Sequence, residues 1–237
     1  MLSETVINEL AVKWQTTRAN VAREYLQHVF LASLYRLENS DELAFKGGTA
    51  LRLLFRSPRF SEDLDFSAET KPFHLKGLLA QVVLRLKEEG IILETAESKA
   101  TSGGFLALFE GRLYGENTAL EVNVSSRKKV RPEPILATTP LYPSYQCLVL
   151  STPDLVAEKC EALLSRRKPR DYFDLYFCLR ERLGIAVIIP LKRRLTDSVR
   201  SLDVKAASRE LKVFLPVSHH PIVANLGKNL LSELNRL

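Results

Sequence analysis

Residues 45–67 read FKGGTALRLLFRSPRFSEDLDFS. Gly47 and Gly48 stand where an apolar strand pattern gives way to an apolar helix pattern. Small residues at such a junction let backbone N–H groups approach an anion closely, and the helix dipole adds to the attraction. Further on, Asp63 and Asp65 are spaced i, i+2 in a segment that alternates charged and apolar residues. In a strand that spacing puts both carboxylates on one face and turns Leu64 and Phe66 to the other. Two neighbouring carboxylates repel, and a hard divalent cation with oxygen ligands relieves the repulsion. Between the two halves, Arg59 offers a planar fork for phosphate oxygens and Ser61 a hydroxyl. An anion cradle beside a metal-binding carboxylate pair suits phosphoryl or nucleotidyl transfer.

Three residues further along could join such a site. In ALEVNVSSR, Glu121 alternates with Leu120 and Val122, so it shares a face with Asn123 and could serve as a third carboxylate. In DLVAEKCEALLSRRKPRDYFDLYF, Leu155, Cys160, Leu163 and Leu164 can pack inward, leaving Lys159 at a helix edge to meet a triphosphate as a point charge. Asp171 and Asp174, spaced i, i+3, share one helix face. Asp171 also suits the first turn of a helix, where the dipole favours a carboxylate, and Arg170 beside it could be an ion-pair partner.

The elements that must position these residues follow from pattern and punctuation. Residues 1–40 read as helical from Val21, Tyr25, Val29 and Ala32 with Leu26, Phe30, Leu34 and Leu37. ELAFKGG is a strand entering a turn, GTALRLLF a helix beginning at or near Gly48, RSPRFS a loop set by Pro58, and EDLDFS a strand. Residues 73–89 form an amphipathic helix closed by Gly90. Strands follow in IILETAES, GFLALFEGRLY and TALEVNVSS. The Pro-rich stretch 132–143 marks a boundary, beyond which the pattern turns helical. One helix opens with Thr152 as N-cap and Pro153 at the first helical position, and the next starts near Pro169. The division expected is 1–130, holding a mixed sheet and N-terminal helices, and 131–237, mainly helical. The fold class is therefore α+β.

Composition sets the outer limits. With 237 residues, 46% of them hydrophobic, the chain can bury a sizeable core. The formal net charge is +6, with clusters at Arg127-Lys128-Lys129 and Arg131, at Arg166-Arg167-Lys168 and Arg170, and at Lys192-Arg193-Arg194. That permits a polyanionic partner, while any single cluster also suits a solvated face. Cys147, Cys160 and Cys178 show no CxxC spacing, which argues for reduced cytosolic thiols against a disulfide framework or a zinc site. The N-terminus is interrupted by charges, and no apolar run approaches the roughly 20 residues of a membrane span. A cytoplasmic protein without a membrane partner is expected.

KGGTALRLLF and RFSEDLDFS, followed by LEVNV and then LVAEKCEALLSRRKPRDYFDLYF, resemble the AbiEii-like nucleotidyltransferases. These are the toxin components of type IV abortive-infection toxin–antitoxin systems and include the MenT-type toxins. The resemblance covers roughly residues 44–180. It implies a nucleotidyltransferase-like mixed β-sheet core with flanking helices and a helical C-terminal domain. It assigns Gly47, Gly48 and Ser61 to phosphate binding, with Thr49, Lys46 and Arg59 as further nucleotide contacts. Asp63 and Asp65 match the metal-binding carboxylates, Glu121 the third carboxylate, Lys159 the lysine that holds the nucleotide phosphates, and Asp171 the C-terminal motif aspartate. Implied as cofactor is Mg²⁺ or Mn²⁺, with an NTP as co-substrate. The implied partners are an RNA acceptor such as the tRNA 3′ end and an antitoxin encoded nearby. The glutamate at 121, where many nucleotidyltransferases carry aspartate, lengthens the reach of that carboxylate. The same cradle would also serve a phosphotransferase acting on a protein or small molecule. An inert RNA- or partner-binding module is the reading from a different class, and the carboxylates at 63, 65 and 121 argue against it.

Overall fold

The structure is a computed structural model that describes residues 1–69, 72–127 and 130–237. By its internal contacts the chain divides into two compact units, Met1–Arg56 with Phe60–Leu150, and Ser57–Arg59 with Ser151–Leu237.

The first unit is built on a sheet. Its elements in chain order are α1 (Glu4–Lys13), α2 (Arg18–Leu34), β1 (Leu43–Lys46), α3 (Gly47–Phe55), β2 (Leu64–Ala68), α4 (Pro72–Glu88), β3 (Leu93–Thr101), β4 (Gly104–Leu113), β5 (Glu116–Ser126), β6 (Pro132–Ala137) and β7 (Tyr145–Leu150). The strand order is β3-β4-β5-β2-β1-β7-β6. β2 runs parallel to β5 and β1 parallel to β7, and the remaining neighbours are antiparallel. The mixed sheet and its helices make the fold α+β.

Alternation decides which side of the sheet is dry. Leu64 and Phe66 of β2, Phe45 of β1, and Leu120, Val122 and Val124 of β5 are buried in the apolar cluster that also takes Leu26, Val29 and Phe30 of α2. Rings stack within it, Phe45 on Phe66 at 5.4 Å and Phe30 near Phe109 at 6.0 Å. Asp65 and Asn123, the intervening residues of β2 and β5, are opposite one another in the parallel register. The side chains that could do chemistry thus share the face the apolar residues leave.

Residues 131–150 depart from the sequence reading. The Pro-rich stretch is not the end of the sheet: 132–137 and 145–150 form an antiparallel pair, and β7 docks beside β1. Pro132 and Pro134 fit because β6 is an edge strand, where a missing N–H breaks no central ladder. The units divide at Leu150–Ser151, some 20 residues beyond the boundary read from composition.

The second unit is helical: α5 (Thr152–Arg166), α6 (Pro169–Arg180), α7 (Ile185–Ile188), α8 (Lys192–Arg200), α9 (Val204–Leu211), α10 (His220–Ala224) and α11 (Leu226–Asn235). Ser151, one residue before the cap expected, accepts the Asp154 N–H and starts α5. Its core includes Leu155, Cys160 and Leu163 of α5 with Phe173, Leu175 and Cys178 of α6. Cys147, Cys160 and Cys178 are all buried and unbridged. Burial pushes the Cys160 thiol up to about 11, so it stays a neutral apolar filler. Among the described residues no helix is long and apolar enough to cross a membrane.

Candidate active site

The helix expected at or near Gly48 opens at Gly47, and the reason lies across the strand pair. Lys46 is directly opposite Asp65 in the β1–β2 register, so the chain leaves β1 beside the Asp65 carboxylate. Gly47 has φ of +84°, a conformation that side chains resist. A Cβ on Gly47 would stand 2.3 Å from Asp65 Oδ2 and 3.0 Å from Asp65 Cβ and Cγ. Glycine is required here on two counts, backbone conformation and the space a carboxylate occupies. The diglycine turn and the second aspartate are therefore in contact.

The helix end at this turn is built to receive charge. Lys46 occupies the N-cap position of α3 and makes no side-chain capping hydrogen bond. The first N–H groups of α3 project from its start without that cap, and the positive end of the helix dipole lies there. Thr49 is buried, and its Oγ1 donates to the backbone carbonyl of Asp63 through a short hydrogen bond. One turn of α3 thus touches Asp65 through Gly47 and holds the chain at Asp63 through Thr49. Asp63 and Asp65 are both partly exposed, whereas Leu64 and Phe66 are fully buried. The alternation expected for SEDLDF holds, although β2 begins only at Leu64.

Glu121 lies on β5 and is partly exposed. Its Oε1 accepts from Asn123 Nδ2 at 2.8 Å, which orients the carboxylate along the strand. Among the described residues no three His, Cys, Asp or Glu side chains form a group that could hold a metal ion. Glu121 therefore does not complete a three-carboxylate metal set with Asp63 and Asp65 in this structure. The aspartates alone still suit Mg²⁺, which commonly takes one or two protein carboxylates and draws its other ligands from water and substrate phosphates. Ser61 is partly exposed, and its carbonyl accepts from Gln27 Nε2 at 2.9 Å.

Lys159, Arg59 and Asp171 belong to the second unit. Lys159 is 7% exposed, and its Nζ lies 2.7 Å from Asp174 Oδ2. Arg59 grips the same carboxylate with both arms, Nε to Oδ1 at 2.8 Å and Nη2 to Oδ2 at 3.0 Å. Asp174 is fully buried. Burial pushes its carboxyl up, but Arg59 and Lys159 together outweigh that and hold it at about 2. The cations expected to reach a triphosphate are thus engaged by a buried aspartate. Asp171 is likewise fully buried, accepting from Arg166 Nε and Nη2 at 2.9 and 2.7 Å and from the Lys168 N–H at 3.1 Å. It closes the turn between α5 and α6 as a first-turn carboxylate. Of the first basic cluster, Lys128 and Lys129 lie outside the described residues.

Sequence reasoning missed one pairing and one residue. Asp174, singled out with Asp171 for its helix face, gathers Arg59 from 115 positions away, a pairing no local spacing reveals. Gln27 is 1% exposed within α2, and a polar side chain at an apolar register of the helix pattern was the available signal.

Comparisons with known proteins bear on the fold and the family. A comparison with curated proteins finds no match. Among solved structures, the chain is similar to MenT4, a nucleotidyltransferase toxin from Mycobacterium tuberculosis H37Rv, with a TM-score of 0.69 at 16% identity, covering 100% of this chain and 91% of that one. It is also similar to JHP933 from Helicobacter pylori, with a TM-score of 0.57 at 20% identity over 93% and 95% of the two chains. Identities this low speak for the fold alone. The family is given by sequence: the profile described as "Nucleotidyl transferase AbiEii toxin, Type IV TA system" matches residues 29–213. The chain therefore belongs to the AbiEii nucleotidyltransferase toxins of type IV toxin–antitoxin systems.

Proposed function

We propose that this enzyme transfers a nucleotidyl group from an NTP to an RNA acceptor, such as the 3′ end of a tRNA, with the help of Mg²⁺ or Mn²⁺. The observation that carries the reading is the contact of the Gly47 turn with the Asp65 carboxylate, because it sets an anion-binding helix start against a cation-binding side chain. In this reading the N–H groups of Gly47 and Gly48 receive the triphosphate, and Lys46 lies on the strand beside it. Asp63 and Asp65 would hold the divalent cation. When bound, the cation would neutralise charge developing on the phosphates. Glu121, oriented by Asn123, would accept a hydrogen bond from the acceptor hydroxyl and direct its oxygen at the α-phosphorus. The new bond joins that oxygen to phosphorus, the hydroxyl proton passes through Glu121 to solvent, the α–β phosphoanhydride bond breaks, and pyrophosphate leaves with its electron pair.

The net charge of +6 supports a polyanionic acceptor. Lys159 and Arg59 act within the second unit as the paired cations around Asp174, and Asp171 fixes the α5–α6 turn there. An antitoxin is the partner expected from the family. The test is incubation with each labelled NTP, Mg²⁺ and total RNA, for wild type and Asp65→Ala. Label entering RNA only with wild type supports the reading. Label entering protein instead would favour a phosphotransferase, and no label with any nucleotide would end the catalytic account.

A further inference from the structure

The chemical motifs begin at Lys46, and the family match begins at residue 29. The side chains of α2 nonetheless reach the segment that leads into Asp63. Gln27 Nε2 donates to Ser61 O and to Glu62 O, each at 2.9 Å. One helical turn earlier, Arg23 Nη1 lies 3.3 Å from Glu62 Oε1. The next carbonyl, that of Asp63, is taken by Thr49. Three consecutive carbonyls thus have side-chain donors, and one amide supplies two of them. A carboxamide nitrogen has two hydrogens, and both are used, so its oxygen cannot face the loop without repulsion from two carbonyls. Water competes little for this contact, because Gln27 is 1% exposed.

The position of this loop makes the contact consequential. β2 starts at Leu64, so residues 61–63 form the segment that leads into the strand. Asp65 is placed by its register with Lys46, and Asp63 follows directly on the two peptides whose carbonyls Gln27 holds. We infer that Gln27 is a positioning residue for Asp63: by fixing the peptides at Ser61 and Glu62 it sets the direction of the Asp63 carboxylate relative to that of Asp65. The inference rests on the proposed metal-dependent transfer for its activity readout, and on the hydrogen bonds alone for its structural one. It also gives the N-terminal helices a role in the chemistry beyond filling the core.

The test uses the full chain. Gln27→Met removes both donors at nearly constant volume. Val29→Ala, two residues on at a fully buried position, is the control for destabilisation alone. Three quantities are measured at a temperature where all proteins are folded: Mn²⁺ affinity by electron paramagnetic resonance with a non-hydrolysable NTP, the kcat and KM of transfer, and amide exchange at residues 62–66. Gln27→Met is expected to lose about 10- to 100-fold in Mn²⁺ affinity and in kcat, as lost outer-shell support of a metal ligand does, with a smaller change in KM. Exchange at 62–66 should quicken in Gln27→Met only. Unchanged Mn²⁺ affinity and kcat, with a thermal loss like that of Val29→Ala, would reduce Gln27 to a structural brace and overturn the inference. If wild type neither binds Mn²⁺ nor transfers label, the transfer reading fails. Exchange at 62–66 then decides alone: faster exchange in Gln27→Met sustains its hold on the loop, and unchanged exchange refutes it.

Discussion

Replacing Gly47 by alanine adds one methyl group where the structure leaves no room. The Cβ would lie 2.3 Å from Asp65 Oδ2, and an ordinary contact needs about 3.5 Å, so that oxygen must retreat by roughly 1 Å. Rotation of Asp65 can relieve Oδ2 alone, but its Cβ and Cγ stand at 3.0 Å, so the strand or the turn must also give. The positive φ of 84° adds a backbone cost of about 1–2 kcal/mol for any residue with a Cβ. A loss of that size lowers the melting temperature by roughly 2–8 °C in a chain of this length. The effect on chemistry should be far larger, because displacing a reacting group by about 1 Å can cost on the order of 100-fold in rate. The assay is label transfer to RNA at a temperature well below unfolding, with melting followed in parallel. Gly77→Ala on α4 is the control: an added Cβ there meets nothing within 4 Å, and it should be neutral or stabilising by up to about 1 kcal/mol. Transfer by Gly47→Ala within threefold of wild type would refute the argument that this turn and Asp65 work as one site.

Thr49→Val keeps the shape and removes the hydroxyl that serves the Asp63 carbonyl; stability should fall by about 1 kcal/mol and transfer by roughly tenfold, read by melting and label incorporation. Asp174→Ala leaves Arg59 and Lys159 buried around a missing anion, and should destabilise by about 3–5 kcal/mol in chemical denaturation. The same carboxylate gives a pH signature. Its pKa is depressed from 3.8 to about 2, so its contribution, about 2 kcal/mol, is fully present above pH 4 and is lost as pH falls towards 2. Denaturation midpoints of wild type should drop across that window, and those of Asp174→Asn should lack this component. Asp171→Ala frees the Arg166 fork and the Lys168 N–H, and should lower stability by about 1–2 kcal/mol, whereas Arg166→Ala, at a half-exposed partner, should cost less.

What the sequence makes legible follows from the range of the forces involved. The diglycine junction, the alternation of Asp63 and Asp65 with Leu64 and Phe66, and the proline start of α6 are local, and each stands as read. Cap placement is off by one residue at α5, where Ser151 and Thr152 offer equivalent hydroxyls. β6 and β7 are misread because proline in 132–134 looks like an interruption, and only the sheet order shows that this strand is an edge. Lys159 and Arg59 carry the right charge for a triphosphate, but their pairing with Asp174 depends on packing across the second unit. The buried polar residues of α2 fail the same way: Glu24 pairs with Arg52 at 2.7 Å and Gln27 reaches residues 61 and 62, all three partners lying later in the chain.

The central claim is that Asp63 and Asp65 hold a divalent cation next to a triphosphate bound at the Gly47–Gly48 turn. A crystal of the protein with Mn²⁺ and a non-hydrolysable NTP tests it directly. The account predicts an anomalous peak about 2 Å from oxygens of both aspartates, with triphosphate oxygens against the backbone N–H groups of that turn. A cation seated elsewhere, or a triphosphate bound away from the diglycine turn, would contradict it.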